Sequence, residues 1–240
     1  KANKNFMSME HKGWNGLGAF DSKERKLAND LLGFDAYILF PTSAFNQVIA
    51  AKEKKILMGG IQALNRGLAT FCKEDKRMFP TAYIPLGLGP DIAKKFVEEA
   101  ISMDFSVILI DTVAPRGQIS FTHPDYNQFW SAVQNADLSV TLHVGADGGY
   151  SPVPKSFYDN QKKVPTHVEG DAPNDALAYM AIQYNAELFL SAMIFDGVLE
   201  RFPNLRIGVV ELGASWIISW MKHLDQSYKA FKKFQDLSQL

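Results

Sequence analysis

Three apolar runs in this 240-residue chain stop on an ionisable side chain: SVILID on Asp111, LSVTLH on His143 and LRIGVVE on Glu211. An ionisable group at the edge of an apolar core is costly unless it is paired or bound to a metal. The repetition therefore carries more weight than any one of the three. The neutral imidazole of His143, in Leu-His-Val-Gly, is a good ligand for zinc or a related divalent ion. Glu211, in Val-Val-Glu-Leu-Gly-Ala, suits the same ion or the role of a base on water. Arg116 follows in Asp-Thr-Val-Ala-Pro-Arg-Gly, where a guanidinium beside Asp111 could grip a substrate carboxylate through two parallel hydrogen bonds. A surface ion pair accounts for Arg116 equally well.

The other histidines are weaker candidates. His123 precedes Pro124 at a helix start, which favours capping, and His167 stands in a long loop where a surface role is the better reading. His11 lies in the leading segment and His223 at a salt-bridge position of the last helix. Zinc needs at least three protein ligands plus an open position, and neither His-x-His nor His-Glu-x-x-His spacing occurs. One imidazole and one carboxylate are expected to hold zinc far more weakly than a complete site. Leu86-Gly87-Leu88-Gly89-Pro90 is no dinucleotide loop, because proline stands where a donor N–H is required.

These side chains need strands that end at one place. Short β-branched runs at 35–40, 81–86, 106–111, 138–143 and 205–211 read as strands, mostly apolar throughout as in a parallel sheet covered on both faces. Helical periodicity covers 22–32, 52–73, 90–102, 124–136, 174–201 with a break near Phe195, and 217–234. Asp91, Asp125 and Asp175 stand near helix starts. The rhythm is that of βα units in an α/β fold of the (β/α)8 TIM-barrel type, where the C-terminal strand ends converge on one mouth. The loop 144–171, rich in Gly, Pro and Asp, follows such an end and is expected to be functional. In the last helix Trp216, Ile217, Trp220 and Leu224 are expected to face the sheet, and Tyr228, Phe231 and Phe234 to form an association surface.

Composition narrows the partners. With 25 basic and 26 acidic residues the field does not attract polyanions, so nucleic acid is not expected as a partner. The single cysteine, Cys72, excludes an intrachain disulfide framework and suits the cytoplasm. No apolar run approaches the roughly 20 residues of a membrane span, and the start has no signal-peptide core. A small-molecule substrate, no membrane and a homo-oligomer are the expectations, within one domain over 1–240.

Three segments resemble a known family. Asn65-Arg66-Gly67-Leu68-Ala69-Thr70-Phe71-Cys72, leading to Phe79 and 82–86, is similar to the NRWLADFC … RLF … VPL segment of the amidohydrolase-related family, which includes aminocarboxymuconate-semialdehyde and resorcylate decarboxylases. HPDYNQFW at 123–130 with VTLHVG at 140–145 resembles its DPxFxPFW … LPVxLHxG block. GVLERFPNLR at 197–206 with VELGASW at 210–216 resembles its GVFERFPKLKxxxxExGxxW block, the most specific of the three. The resemblance implies a divalent metal at the barrel mouth, zinc first and manganese second, and either hydrolytic or C–C lyase chemistry. His143 matches the family's strand-5 metal histidine. Glu211 stands where many decarboxylases of the family carry a histidine, as ligand or base. The family's first strand, with its His-x-His or Glu-x-His pair, and its eighth, with a catalytic Asp, have no counterpart here, so either a fragment or strands supplied by another chain is expected.

The first reading is thus a metal-dependent hydrolase or decarboxylase for a small carboxylated substrate, aromatic or not, with His143 and Glu211 at the metal and Arg116 and Asp111 at the substrate. The second is an inactive barrel-derived domain kept for binding or assembly.

Overall fold

The computed structural model describes residues 13–41, 43–111, 119–144, 153–162 and 175–237. Helices and strands alternate along the chain, and the described strands are β1 (Tyr37–Leu39), β2 (Met78–Ile84), β3 (Val107–Ile110), β4 (Ser139–His143) and β5 (Arg206–Val210). β1 pairs in parallel with β2, and β4 in parallel with β5. Contacts divide the chain into two compact units, residues 1–83 with 100–107 and residues 84–99 with 108–240.

In the first unit, α1 (Ser22–Leu32) has the limits its punctuation dictates. The Asp21 carboxylate accepts from the N–H groups of Lys23 and Glu24 at 2.8 and 3.1 Å, and Gly33 at φ 71° closes the helix by donating to Asn29 O. β1 lies parallel to β2 with Tyr37 opposite Met78. A short helix that periodicity does not reveal, α2 (Ser43–Ile49), follows. Tertiary packing holds it. Val48 sits over Gly60 of α3 (Lys54–Cys72), where an added Cβ would come 3.2 Å from Val48 Cγ1, and Phe45 meets Tyr83 edge-on at 4.8 Å. The buried face of α3 is Leu57, Ile61, Asn65 and Cys72, at helical spacing. Asn65 fixes this helix to β2 twice, accepting from Tyr83 N at 2.9 Å and donating to Tyr83 O at 3.0 Å. β2 begins three residues earlier than its apolar run, at Met78, because the α3–β2 turn is already held by side chains. Arg77 binds Asp75 (2.6 Å) and Asp30 (2.6 Å), and Asn29 donates to Asp75 at 3.2 Å. The strand stops at Ile84, where a 3-10 turn, Leu86–Leu88, takes over.

The second unit holds α4 (Pro90–Ser102) in large part, α5 (Asn127–Asn135), α6 (Ala176–Met180), α7 (Tyr184–Phe195), α8 (Val198–Arg201) and α9 (Ile217–Phe231). The segment expected as one helix with a break near Phe195 is three helices, and the second interruption is at Asp196 and Gly197, whose φ of 66° suits glycine. Asp175 caps α6 by accepting from Ala178 N at 2.8 Å. Phe121 stacks on Phe189 at 4.0 Å, Trp130 donates to Phe121 O, and Thr141 of β4 donates to Ile108 O of β3 at 2.7 Å. Tyr126, fully enclosed, donates to Leu86 O at 2.6 Å.

α9 corrects one expectation. Trp216 is buried, but Ile217 is exposed together with Ile218 and Met221, and no residue within the helix is buried. The two indoles take the contact instead. Trp216 donates to Leu212 O and lies 5.7 Å from Trp220, which donates to Ser191 Oγ at 2.9 Å. The helix ends at Phe231, and both Phe231 and Phe234 are exposed as expected. Among the described residues no helix is long and apolar enough to cross a membrane.

Candidate metal and active site

Parallel pairing decides which strand-end residues meet. β4 and β5 run in register from Ser139 opposite Arg206 to His143 opposite Val210. Val140 and Leu142 are fully buried, and the run breaks surface at His143, whose side chain is 20% exposed. One residue beyond its β5 partner stands Glu211, at φ 62°, a left-handed conformation that L-residues other than Asn and Asp seldom adopt. The turn brings Glu211 Oε2 to 3.2 Å from His143 Nε2 while leaving the carboxylate 65% exposed.

The other ring nitrogen determines what that contact is. His143 Nδ1 lies 2.8 Å from Val144 O. A carbonyl oxygen only accepts, so Nδ1 carries the proton. Nε2 then faces Glu211 either as the N–H of an imidazolium or as a bare lone pair. A lone pair opposed to a carboxylate at this distance repels it, unless a cation stands between them. This carbonyl contact is a backbone feature that residue types do not announce, and the left-handed Glu211 has only Gly213, itself at φ 63°, as a nearby sign of a tight turn.

Asp111 directly follows β3, half-buried, and accepts from Gly87 N at 3.5 Å. Burial, and more weakly the Asp111 carboxylate, push the Tyr126 hydroxyl up to about 12, so Tyr126 remains a donor to Leu86 O and is no base near neutral pH. His123 caps the 3-10 turn Pro124–Tyr126, its Nδ1 accepting from Asp125 N at 3.2 Å. His223 is close enough to Glu187 to offset part of the upward push that burial gives that carboxyl. Arg116, His167 and His11 lie outside the described residues. Among the described residues, no group of three or more His, Cys, Asp or Glu side chains is placed to hold a metal ion.

The family model described as Amidohydrolase matches residues 32–234. No curated protein matches the chain. Among solved structures, an amidohydrolase of Mycobacterium avium subsp. paratuberculosis K-10 superposes with a TM-score of 0.70 at 16% identity, over 90% of this chain and 55% of its own. The 5-carboxyvanillate decarboxylase of Novosphingobium aromaticivorans DSM 12444, solved with manganese, gives 0.65 at 18% identity over 90% and 57%. The 2,6-dihydroxybenzoate decarboxylase from Rhizobium gives 0.59 at 18% over 84% and 61%. The chain spans little more than half the length of these proteins. At such identities the likeness shows the fold, the (β/α)8-barrel type that the βα rhythm leads one to expect. The family match covers most of the chain, and the chain belongs to the amidohydrolase family.

Proposed function

We propose that the chain contributes a divalent-metal site to an amidohydrolase-family decarboxylase or hydrolase that acts on a small aromatic carboxylate. The observation that carries this reading is the His143–Glu211 pair, an imidazole nitrogen aimed at a carboxylate oxygen 3.2 Å away with its other nitrogen tied to Val144 O. An oriented imidazole backed by a carbonyl, next to a carboxylate, is donor chemistry that fits zinc or manganese. His143 and Glu211 would hold the ion, which when bound polarises a substrate oxygen or acidifies water. The decarboxylase of N. aromaticivorans, solved with manganese and a nitrobenzoic acid, supports manganese and an aromatic acid here. Glu211, largely exposed, would serve as ligand or as base on a bound water. Arg116 would hold the substrate carboxylate and Asp111 would border it. The enzyme is read as cytoplasmic and homo-oligomeric.

Manganese tests the site, because paramagnetic broadening detects weak binding. Adding Mn2+ to the chain is expected to broaden the His143 ring signals first, and His143→Ala is expected to abolish broadening at the β4 and β5 ends. Broadening that begins elsewhere and survives His143→Ala refutes the site. Carbon dioxide release from 2,6-dihydroxybenzoate and 5-carboxyvanillate with Mn2+ tests the reaction class.

A further inference from the structure

The first unit contains a cavity of about 410 Å³, within the range of small-molecule sites. Its walls are apolar: Ala63, Gly67 and Phe71 of α3, Leu39 and Phe40 at the end of β1, and Phe20. A glycine inside a helix weakens it relative to alanine, so Gly67 calls for a reason. Packing supplies none, since a Cβ there would meet nothing within 4 Å. The chain therefore has open space on α3 at this position, facing the cavity.

One charged residue, Arg25, is among those lining the cavity. Its Nε donates to Gly18 O at 2.8 Å. Gly18, at φ 70°, lies so close that an added Cβ would come 2.4 Å from Arg25 Cα. The guanidinium is thus anchored through Nε, while its two terminal nitrogens bond no described residue. A fixed guanidinium at an apolar slot is suited to a carboxylate that carries a flat ring.

We propose that this cavity binds a small planar aromatic acid of about indole size, the ring filling the space beside Gly67 and the carboxylate meeting Arg25. The site shares no residue with the His143–Glu211 pair and does not depend on the reaction assigned to it.

Indole-3-acetate and indole are suitable probes, followed by amide chemical shifts of the 240-residue chain. Saturable shifts at Ala63, Gly67 and Leu68 are expected, with indole-3-acetate at least fivefold tighter than indole. Arg25→Gln is expected to remove that difference and leave indole unchanged. Gly67→Trp, filling the slot, is expected to weaken both probes at least tenfold while circular dichroism shows a folded chain; Ala63→Phe serves if Gly67→Trp does not fold. The proposal is overturned by shifts that do not saturate at millimolar probe, by unchanged binding in a folded slot-filling variant, or by Arg25→Gln weakening both probes equally. It is also overturned if dilution alone moves the same amides, since a second copy then occupies the slot.

Discussion

Replacing Glu211 by glycine and, separately, by alanine divides the cost of its backbone from the role of its carboxylate. At φ 62° an L-residue sits in the left-handed region at a cost of roughly 1–2 kcal/mol, which glycine does not bear. Glycine gives back about 0.4–1 kcal/mol by enlarging the entropy of the unfolded chain. The difference leaves the glycine variant about 1 kcal/mol more stable than the alanine variant, the reverse of their order in a helix. Both variants lose the contact with His143. With the carboxylate 65% exposed, that loss weighs less than about 1 kcal/mol and cancels from the comparison. In a chain of this size the expected separation in melting temperature is roughly 2–4 °C in favour of glycine. Thermal melts at pH 7 without added metal measure it, and Mn2+ broadening of His143 should fall in both variants. An alanine variant as stable as the glycine variant would refute the claim that Glu211 is held in a costly backbone state for the position of its side chain.

Three further outcomes follow from interior contacts. Asn65→Ala removes both bonds between α3 and Tyr83, each buried, and is expected to cost roughly 2–4 kcal/mol in urea unfolding, whereas an exposed polar residue of the same helix such as Arg66 should tolerate the change. The bidentate hydrogen bonds of Arg77 hold the Asp75 carboxyl well below the usual carboxylate range. Its stabilisation is therefore complete above about pH 4, the unfolded value, and is lost as pH falls toward the folded one, so the melting-temperature deficit of Asp75→Asn is expected to be full at pH 7 and to shrink below pH 4. Burial pushes the Cys72 thiol up to about 11, and native protein at pH 8 should resist iodoacetamide until denaturant is added; fast native labelling would contradict that enclosure.

The parts of this fold that can be read from residues alone are those set by local chemistry. Asp21 and Gly33 delimit α1 because a carboxylate and a left-handed glycine satisfy the orphan groups of a helix wherever it packs. The strands around 107–110 and 139–143 are legible because a parallel strand covered on both faces must be apolar along its length, whereas 206–210, read from the same kind of run, has no buried residue. What escapes is set by partners distant in sequence. α2 depends on the fit of Val48 over Gly60, the early start of β2 on the Arg77 network, and the outward turn of Ile217 on the two indoles that take the contact at the base of α9. The candidate site divides along the same line. That His143 and Glu211 are neighbours follows from two consecutive parallel strands whose apolar runs end in ionisable groups, because in-register pairing sets such ends side by side. That they meet at 3.2 Å follows from a carbonyl that turns the ring and a left-handed residue that turns the carboxylate, and neither is a property of a residue type. Sequence pattern therefore selects the pair, and backbone conformation decides whether the pair can share a charge; a loss of Mn2+ binding common to Glu211→Gly and Glu211→Ala reports on the carboxylate, while the difference in stability between the two variants reports on the backbone.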